Sequence, residues 1–327
     1  MCHSSDCFGV IAEKDNARIS VFDTDTLEVL RQIPLRAGST PADVTDVALT
    51  SDCTRAVVTS VWRATIFQID LCKGQAEAIV STDVPQILYD VDITPDDRFA
   101  VCVDGVTATP RSGIISYSLK KNAVVSSVPT DAQAVAVSPS RNGLVLTAVM
   151  NANSVRRFMI DHEGILTDCK QEFPAGTKPV NISFSPDGRF AFVANRSASV
   201  SFGGVSVLST LFPDNISLLD TVPVPGAVQS LAVSGNGRHI FALGIANVDI
   251  FSFDPVSGSL RLARSFTHGL SIAINIGIDQ IALDPTESRL FISATDRLAA
   301  FTTYGIPLGS VEGGVSGLGG LSVCRSS

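Results

Sequence analysis

An all-β, seven-bladed β-propeller is what this sequence of 327 residues predicts, and three observations predict it. The chain is apolar without being aromatic: 45% hydrophobic, 6% aromatic and 17% charged, against about 25% charged in an ordinary soluble domain. Short β-branched runs are cut by 25 glycines and 16 prolines, and none sustains the apolar period of a helix, so the runs read as strands. One pattern recurs along the chain: apolar, small or polar, apolar, a turn, then an apolar strand.

The clearest copy is NISFSPDGRFAFVAN, from Asn181 to Asn195. Related copies are DVALTSDCTRAVVTS from Asp46, DVDITPDDRFAVCVD from Asp90 and AVAVSPSRNGLVLTA from Ala134. They continue with SLAVSGNGRHIFALG from Ser230 and QIALDPTESRLFISA from Gln280. Their centres, Ala48, Asp92, Ala136, Ser183, Ala232 and Ala282, are spaced 44, 44, 47, 49 and 50 residues apart. Every centre is flanked by two apolar residues, from Val47 and Leu49 to the last copy's Leu321 and Val323. Pro95, Pro139, Pro186 and Pro285 recur at one offset, where proline fixes φ and ends a strand because it cannot donate to a ladder. Two further strand-like runs per copy, such as Ile19 to Asp23 and Val29 to Ile33, give about four strands per repeat, the arithmetic of propeller blades.

The ends of the chain complement each other. The last copy, LSVCRSS, has a first strand and nothing after it, whereas the N-terminus opens on strands two to four. A 1+3 closure with the C-terminal strand innermost in the shared blade would remove the open edge that otherwise templates aggregation. Blade 1 is then shared between 7–35 and 318–325, later blades start near 44, 88, 132, 179, 228 and 278, and 1–327 forms one domain.

Several functional classes fall away. A net charge of −8 argues against sequence-independent nucleic-acid binding, which needs clustered Lys and Arg to displace counterions. No segment approaches the roughly 18 uncharged apolar residues of a membrane span. The chain has no GxSxG elbow, P-loop, GxGxxG or HExxH motif. Seven cysteines without a CxxC pair argue against structural zinc. Cys7 with Cys324 would staple the closure blade, and Cys53 with Cys72 is a second candidate pair. The N-terminus lacks a signal peptide, so the protein is cytoplasmic if this start is native and secreted if a leader precedes it.

SPDGRFAFVAN with the following VSVL strand resembles the YVTN-type repeat of surface-layer and lactonase-like seven-bladed propellers. The resemblance covers the chain as architecture, with the fifth blade matching best residue for residue. It implies one of several activities, since such propellers include lactone hydrolases, isomerases, cyclases and binding modules.

Propeller topology gathers the residues leading into the innermost strands, and the loops between strands two and three, around a top central pocket. The SPDGR-like turns lie on the opposite face, where Asp187, Arg189, Asp97 and Arg98 read as turn and blade-to-blade residues. Candidate catalytic residues are His268, Arg63 and Asp90: His268 is the one histidine mapping to the top and titrates near neutrality, and Arg63 suits a developing oxyanion. Candidate substrate-binding residues are Trp62, Tyr89, Asp46, Asn181, Gln229, Gln280 and Arg196, with Gln133 and Asp279 at neighbouring positions. Trp62 beside Arg63 suits a flat or anionic ligand.

No metal or cofactor motif is present. Asp46, Asp90 and Asn181 nevertheless share one repeat position, and oxygen ligands of that kind would suit Ca²⁺ or Mg²⁺. Three functions remain: a lactonase-like hydrolase or isomerase on a small-molecule substrate; a cofactor-independent cyclase or cycloaddition enzyme of secondary metabolism, which works by orienting reactants; or a scaffold propeller that binds a protein partner through its rim.

Overall fold

A computed structural model describes residues 7–37, 39–61, 65–80, 87–104, 113–140, 142–196, 202–272, 278–311, 315 and 319–324. Seven four-stranded antiparallel sheets are arranged as the blades of a propeller. Their inner strands are Val44–Leu49, Asp90–Ile93, Ala134–Val137, Pro179–Phe184, Val228–Val233 and Ile281–Leu283 in blades 2 to 7. In the remaining sheet, blade 1, the strand Leu321–Val323 pairs with Phe8–Glu13, and Arg18–Asp23 and Val29–Pro34 follow outward. Leu321–Val323 packs between the inner strands of blades 7 and 2. Helix among the described residues is confined to two 3₁₀ turns, Lys14–Asn16 and Met150–Ala152, and no helix is long and apolar enough to cross a membrane.

The low charge has a direct structural cause. Seven apolar clusters form, one in each interface between neighbouring blades, and no single central core exists. A second strand such as Phe190–Asn195 is therefore buried along its whole length, with one face on each adjacent blade. Polar alternation survives in outer strands such as Leu166–Pro174, which have water on one side.

The turns after the inner strands share one hydrogen-bond design. Ser185 Oγ donates to Asp187 Oδ1 at 2.6 Å, the same oxygen accepts from Arg189 N at 3.1 Å, and Phe190 N donates back to Ser185 Oγ. Thr50 with Asp52, Thr94 with Asp96 and Ser234 with Asn236 repeat it. The fourth position of these turns is left-handed, and Gly188 and Gly237 meet that need without Cβ strain. In blades 2, 3 and 7 it is instead Cys53, Asp97 and Glu287, each at φ between 55° and 58°. Each of the three links its turn to the preceding blade: Cys53 by a disulfide to Cys324, Asp97 to Ser51 N at 2.8 Å, and Glu287 to Gly235 N. These links make Asp97 and Asp187 the structural residues that the sequence suggested.

The disulfide differs from both expected pairings. Cys324 N donates to Phe8 O within blade 1, but the Cys324 side chain lies in the cluster shared with blade 2, where Cys53 sits with the two Cα atoms 5.7 Å apart. Cys72 is disulfide-bonded as well, so it is not the partner of Cys53.

Candidate functional site

The repeat centres from Asp92 to Ser322 line the axial channel together with the apolar residues that flank them. Six of the seven centres are small: Ala48, Ala136, Ser183, Ala232, Ala282 and Ser322. The seventh is Asp92. Two residues earlier in each copy stand Asp46, Asp90, Ala134, Asn181, Ser230, Gln280 and Gly320. Here the inner strands of blades 2, 5 and 6 each carry a bulge, between Val44 and Val47, Pro179 and Asn181, and Val228 and Ser230. A bulge unpairs one residue and re-aims the next, which turns polar side chains toward the neighbouring blade.

These side chains tie consecutive inner strands together. Asp46 Oδ2 accepts from Val91 N at 3.3 Å, Asp90 Oδ2 from Val135 N at 2.7 Å and Asn181 Oδ1 from Leu231 N at 3.1 Å. Ser230 Oγ accepts from Gln280 N, and backbone bonds from Leu321 N to Asp279 O and Gly320 N to Thr45 O carry the ring across blade 1. The position in blade 1 is glycine because the Asp46 carboxylate lies where a Cβ would stand.

Asp279 departs from this ring and reaches across the channel. Its Oδ1 accepts from Asn181 Nδ2 at 2.9 Å, joining blade 7 to blade 5 past blade 6. Four carboxyl groups consequently share one electrostatic neighbourhood. Burial, and then the charge of Asp279, pushes Asp46 well above the usual carboxylate range. Burial, and then Asp46 and Asp279, does the same to Asp90. The Asp46 and Asp90 carboxyls act on each other, so the two titrate as a pair. Burial raises Asp92 to about 7 although Val137 N and Ile93 N both donate to it at 2.7 Å. Asp279 rises to about 6 through burial, opposed by the Asn181 amide.

Below this layer the channel widens into a cavity of about 330 Å³. Asp279 and Asp92 line it with Ser183, Ser322 and the small residues Ala136, Ala232 and Ala282, and it runs down to the exposed Pro139 and Pro186. Its open end therefore lies at the SPDGR-like turns, on the face opposite the top pocket expected from the sequence. Shape and chemistry suit a monosaccharide-sized ligand handled by carboxyl acid–base groups.

The other expected residues are dispersed. Trp62 and Arg63 lie outside the described residues. His268 is buried with both ring nitrogens engaged: Nδ1 accepts from Leu270 N at 3.0 Å, and Nε2 faces Gly244 O at 3.3 Å. Burial also lowers its pKa, and these contacts make His268 a fastener of the loop after blade 6, with its ring nitrogens already engaged where the sequence suggested a base. Tyr89 is half-buried, and its phenol is raised by burial and by the charges of Asp104 and Asp43. Arg196 Nη2 donates to Gln229 Oε1 at 2.6 Å, away from the cavity lining. Gln280 is buried, and its amide has no hydrogen-bond partner among the described residues.

Asp46, Asp90 and Asn181 do converge as their shared repeat position suggested, but each commits an oxygen to a backbone N–H. Among the described residues, no group of three His, Cys, Asp or Glu side chains is arranged to hold a metal ion. Asp92 is the residue that sequence reasoning missed. Its signal was legible as the one charged side chain among seven repeat centres, the other six being small.

No family model and no curated protein matches the chain. Solved structures do. The periplasmic gluconolactonase of Pseudomonas aeruginosa is 18% identical over 98% of this chain and 100% of that one, with a TM-score of 0.72. A provisional 6-phosphogluconolactonase of Bacteroides fragilis is 14% identical over 97% of this chain and 98% of that one, with a TM-score of 0.71. At these identities the likeness shows the seven-bladed fold. A functionally unknown protein from Desulfotomaculum acetoxidans is 41% identical over 98% of this chain and 99% of that one, with a TM-score of 0.89. This chain belongs to the same family as that Desulfotomaculum acetoxidans protein.

Proposed function

We propose that the protein is a small-molecule hydrolase of the lactonase-like class and that its reacting groups are the channel carboxyls. One observation carries the reading: Asp279 and Asp92, held at about 6 and about 7, face the same cavity. Two carboxyls held about one unit apart supply a base and an acid at a pH between them, the recurring way in which environment divides two like groups between two roles. The gluconolactonase among the structural neighbours supports the substrate class.

In this reading a water attacks the lactone carbonyl while the Asp279 carboxylate takes its proton. The Asn181 amide holds one Asp279 oxygen and leaves the other for the water. Asp92, in its acid form, protonates the ring oxygen as the acyl C–O bond breaks, and the product leaves as a hydroxy acid.

Hydrolysis of glucono-1,5-lactone above its spontaneous rate tests this. Asp279→Asn should lower kcat/KM by about 100-fold or more, the range removed with a general base. Full activity in that variant would remove Asp279 from the mechanism.

A further inference from the structure

The cavity has a one-sided charge lining. Among the described residues, Asp92 and Asp279 are the ionisable side chains of its lining, and no described Lys, Arg or His lines it. Behind Asp279 stand the carboxyls of Asp46 and Asp90, near enough for their charges to act on one another. Nothing in the lining could neutralise a phosphate, and burial from water strengthens the repulsion that a carboxylate would exert on one. The remaining described lining is small or apolar apart from the hydroxyls of Ser183, Ser185 and Ser322, which suit an uncharged polyol.

From this lining we infer that the channel selects ligands by charge, admitting neutral or cationic sugar-like rings and excluding phosphorylated ones. The inference rests on the proposed function and narrows it: the substrate is an unphosphorylated lactone, not a sugar-phosphate lactone. It also gives the reaction a direction. Opening a neutral lactone creates a carboxylate inside a ring of carboxyls, so the product is expelled by the groups that formed it.

Three unreactive probes with the same ring separate charge from shape: neutral 1,5-anhydroglucitol, its 6-phosphate, and the ring amine 1-deoxynojirimycin. Calorimetric titration of the wild type at pH 6.5 should give the amine an affinity equal to or above that of the neutral ring. The phosphate should bind on the order of tenfold more weakly or worse, as expected for a charge placed near a partly buried carboxylate. The phosphate penalty should grow from pH 5.5 to pH 7.5 in the wild type, a measurement that needs no variant. In Asp92→Asn/Asp279→Asn the penalty should fall to within about threefold. Phosphate binding as tight as that of the neutral ring would overturn the charge selection while leaving the channel as a ligand site. Binding by none of the three would overturn the ligand site itself, and the proposed function with it.

Discussion

Asp92 shows how a site residue is set by its environment. Both its oxygens accept backbone N–H groups, which favours the carboxylate, yet burial outweighs them and lifts the group to about 7. The native state thus binds a proton that the unfolded chain, near the ordinary value of 3.8, has already lost. The stability attached to Asp92 is fully present below about pH 4 and is lost as pH rises through about 7. Asp92→Asn removes that loss but leaves an N–H without its acceptor. Its Tm relative to wild type should therefore be higher at pH 8 than at pH 4.5, by about 1–3 °C in a chain of this size. A Tm difference that does not change with pH would mean that Asp92 titrates normally. The sequence displayed Asp92 as the odd member of its repeat column, but desolvation comes from the packed blades and cannot be read from spacing. His268 makes the complementary point. Its type and loop position suggested a base, whereas the Leu270 amide and the Gly244 carbonyl that occupy its ring belong to the folded chain. His268→Ala should lower Tm by a few degrees, since it strips partners from buried polar groups, and should leave the pH dependence of kcat/KM unchanged.

At the level of strands and turns, the repeat was legible because the two residues flanking each inner-strand centre pack on the preceding blade while the centre between them stays small. Val47 and Leu49 in blade 2 and Leu321 and Val323 in blade 1 satisfy the same geometric demand, which is why the pattern survives where sequence identity between copies does not. The links between turns were less legible. Asp97 reads as one residue of an ordinary turn until the preceding blade brings Ser51 against it. Cys53 and Cys324 are likewise 271 residues apart, and only the approach of blade 2 to blade 1 pairs them. Pairing within blade 1 looked natural from the sequence because Cys7 and Cys324 sit on adjacent strands, but side-chain alternation aims Cys324 at blade 2. Cross-linking so long a loop restricts the unfolded chain, so Cys53→Ser/Cys324→Ser should cost roughly 2–4 kcal/mol, seen as a drop of several degrees in Tm. An unchanged Tm would show that the blade 1–blade 2 joint is held by packing alone.

Across the whole molecule, a closed ring of seven interfaces explains both the apolar composition and the location of chemistry. Each blade face is covered by its neighbour, so ionisable groups are driven to the rim, to the turns or to the channel. In the channel they are few and share one field: burial and neighbouring carboxyls raise Asp46 and Asp90, Asp279 crosses to Asn181, and Asp92 faces the cavity below. The sequence located the inner strands and named Asp46, Asp90 and Asn181 on them, with Asp279 at a neighbouring position. It placed the pocket at the opposite mouth because topology fixes which loops share a face, not where the inner strands leave space. The most direct measurement is the pH dependence of kcat/KM for glucono-1,5-lactone, corrected for spontaneous hydrolysis, in the wild type and in Asp92→Asn. The wild type should show a bell with an acidic limb near 6 from Asp279 and an alkaline limb near 7 from Asp92, and Asp92→Asn should lose the alkaline limb. A wild-type profile without either limb, or an alkaline limb that persists in Asp92→Asn, would contradict catalysis by the channel carboxyls.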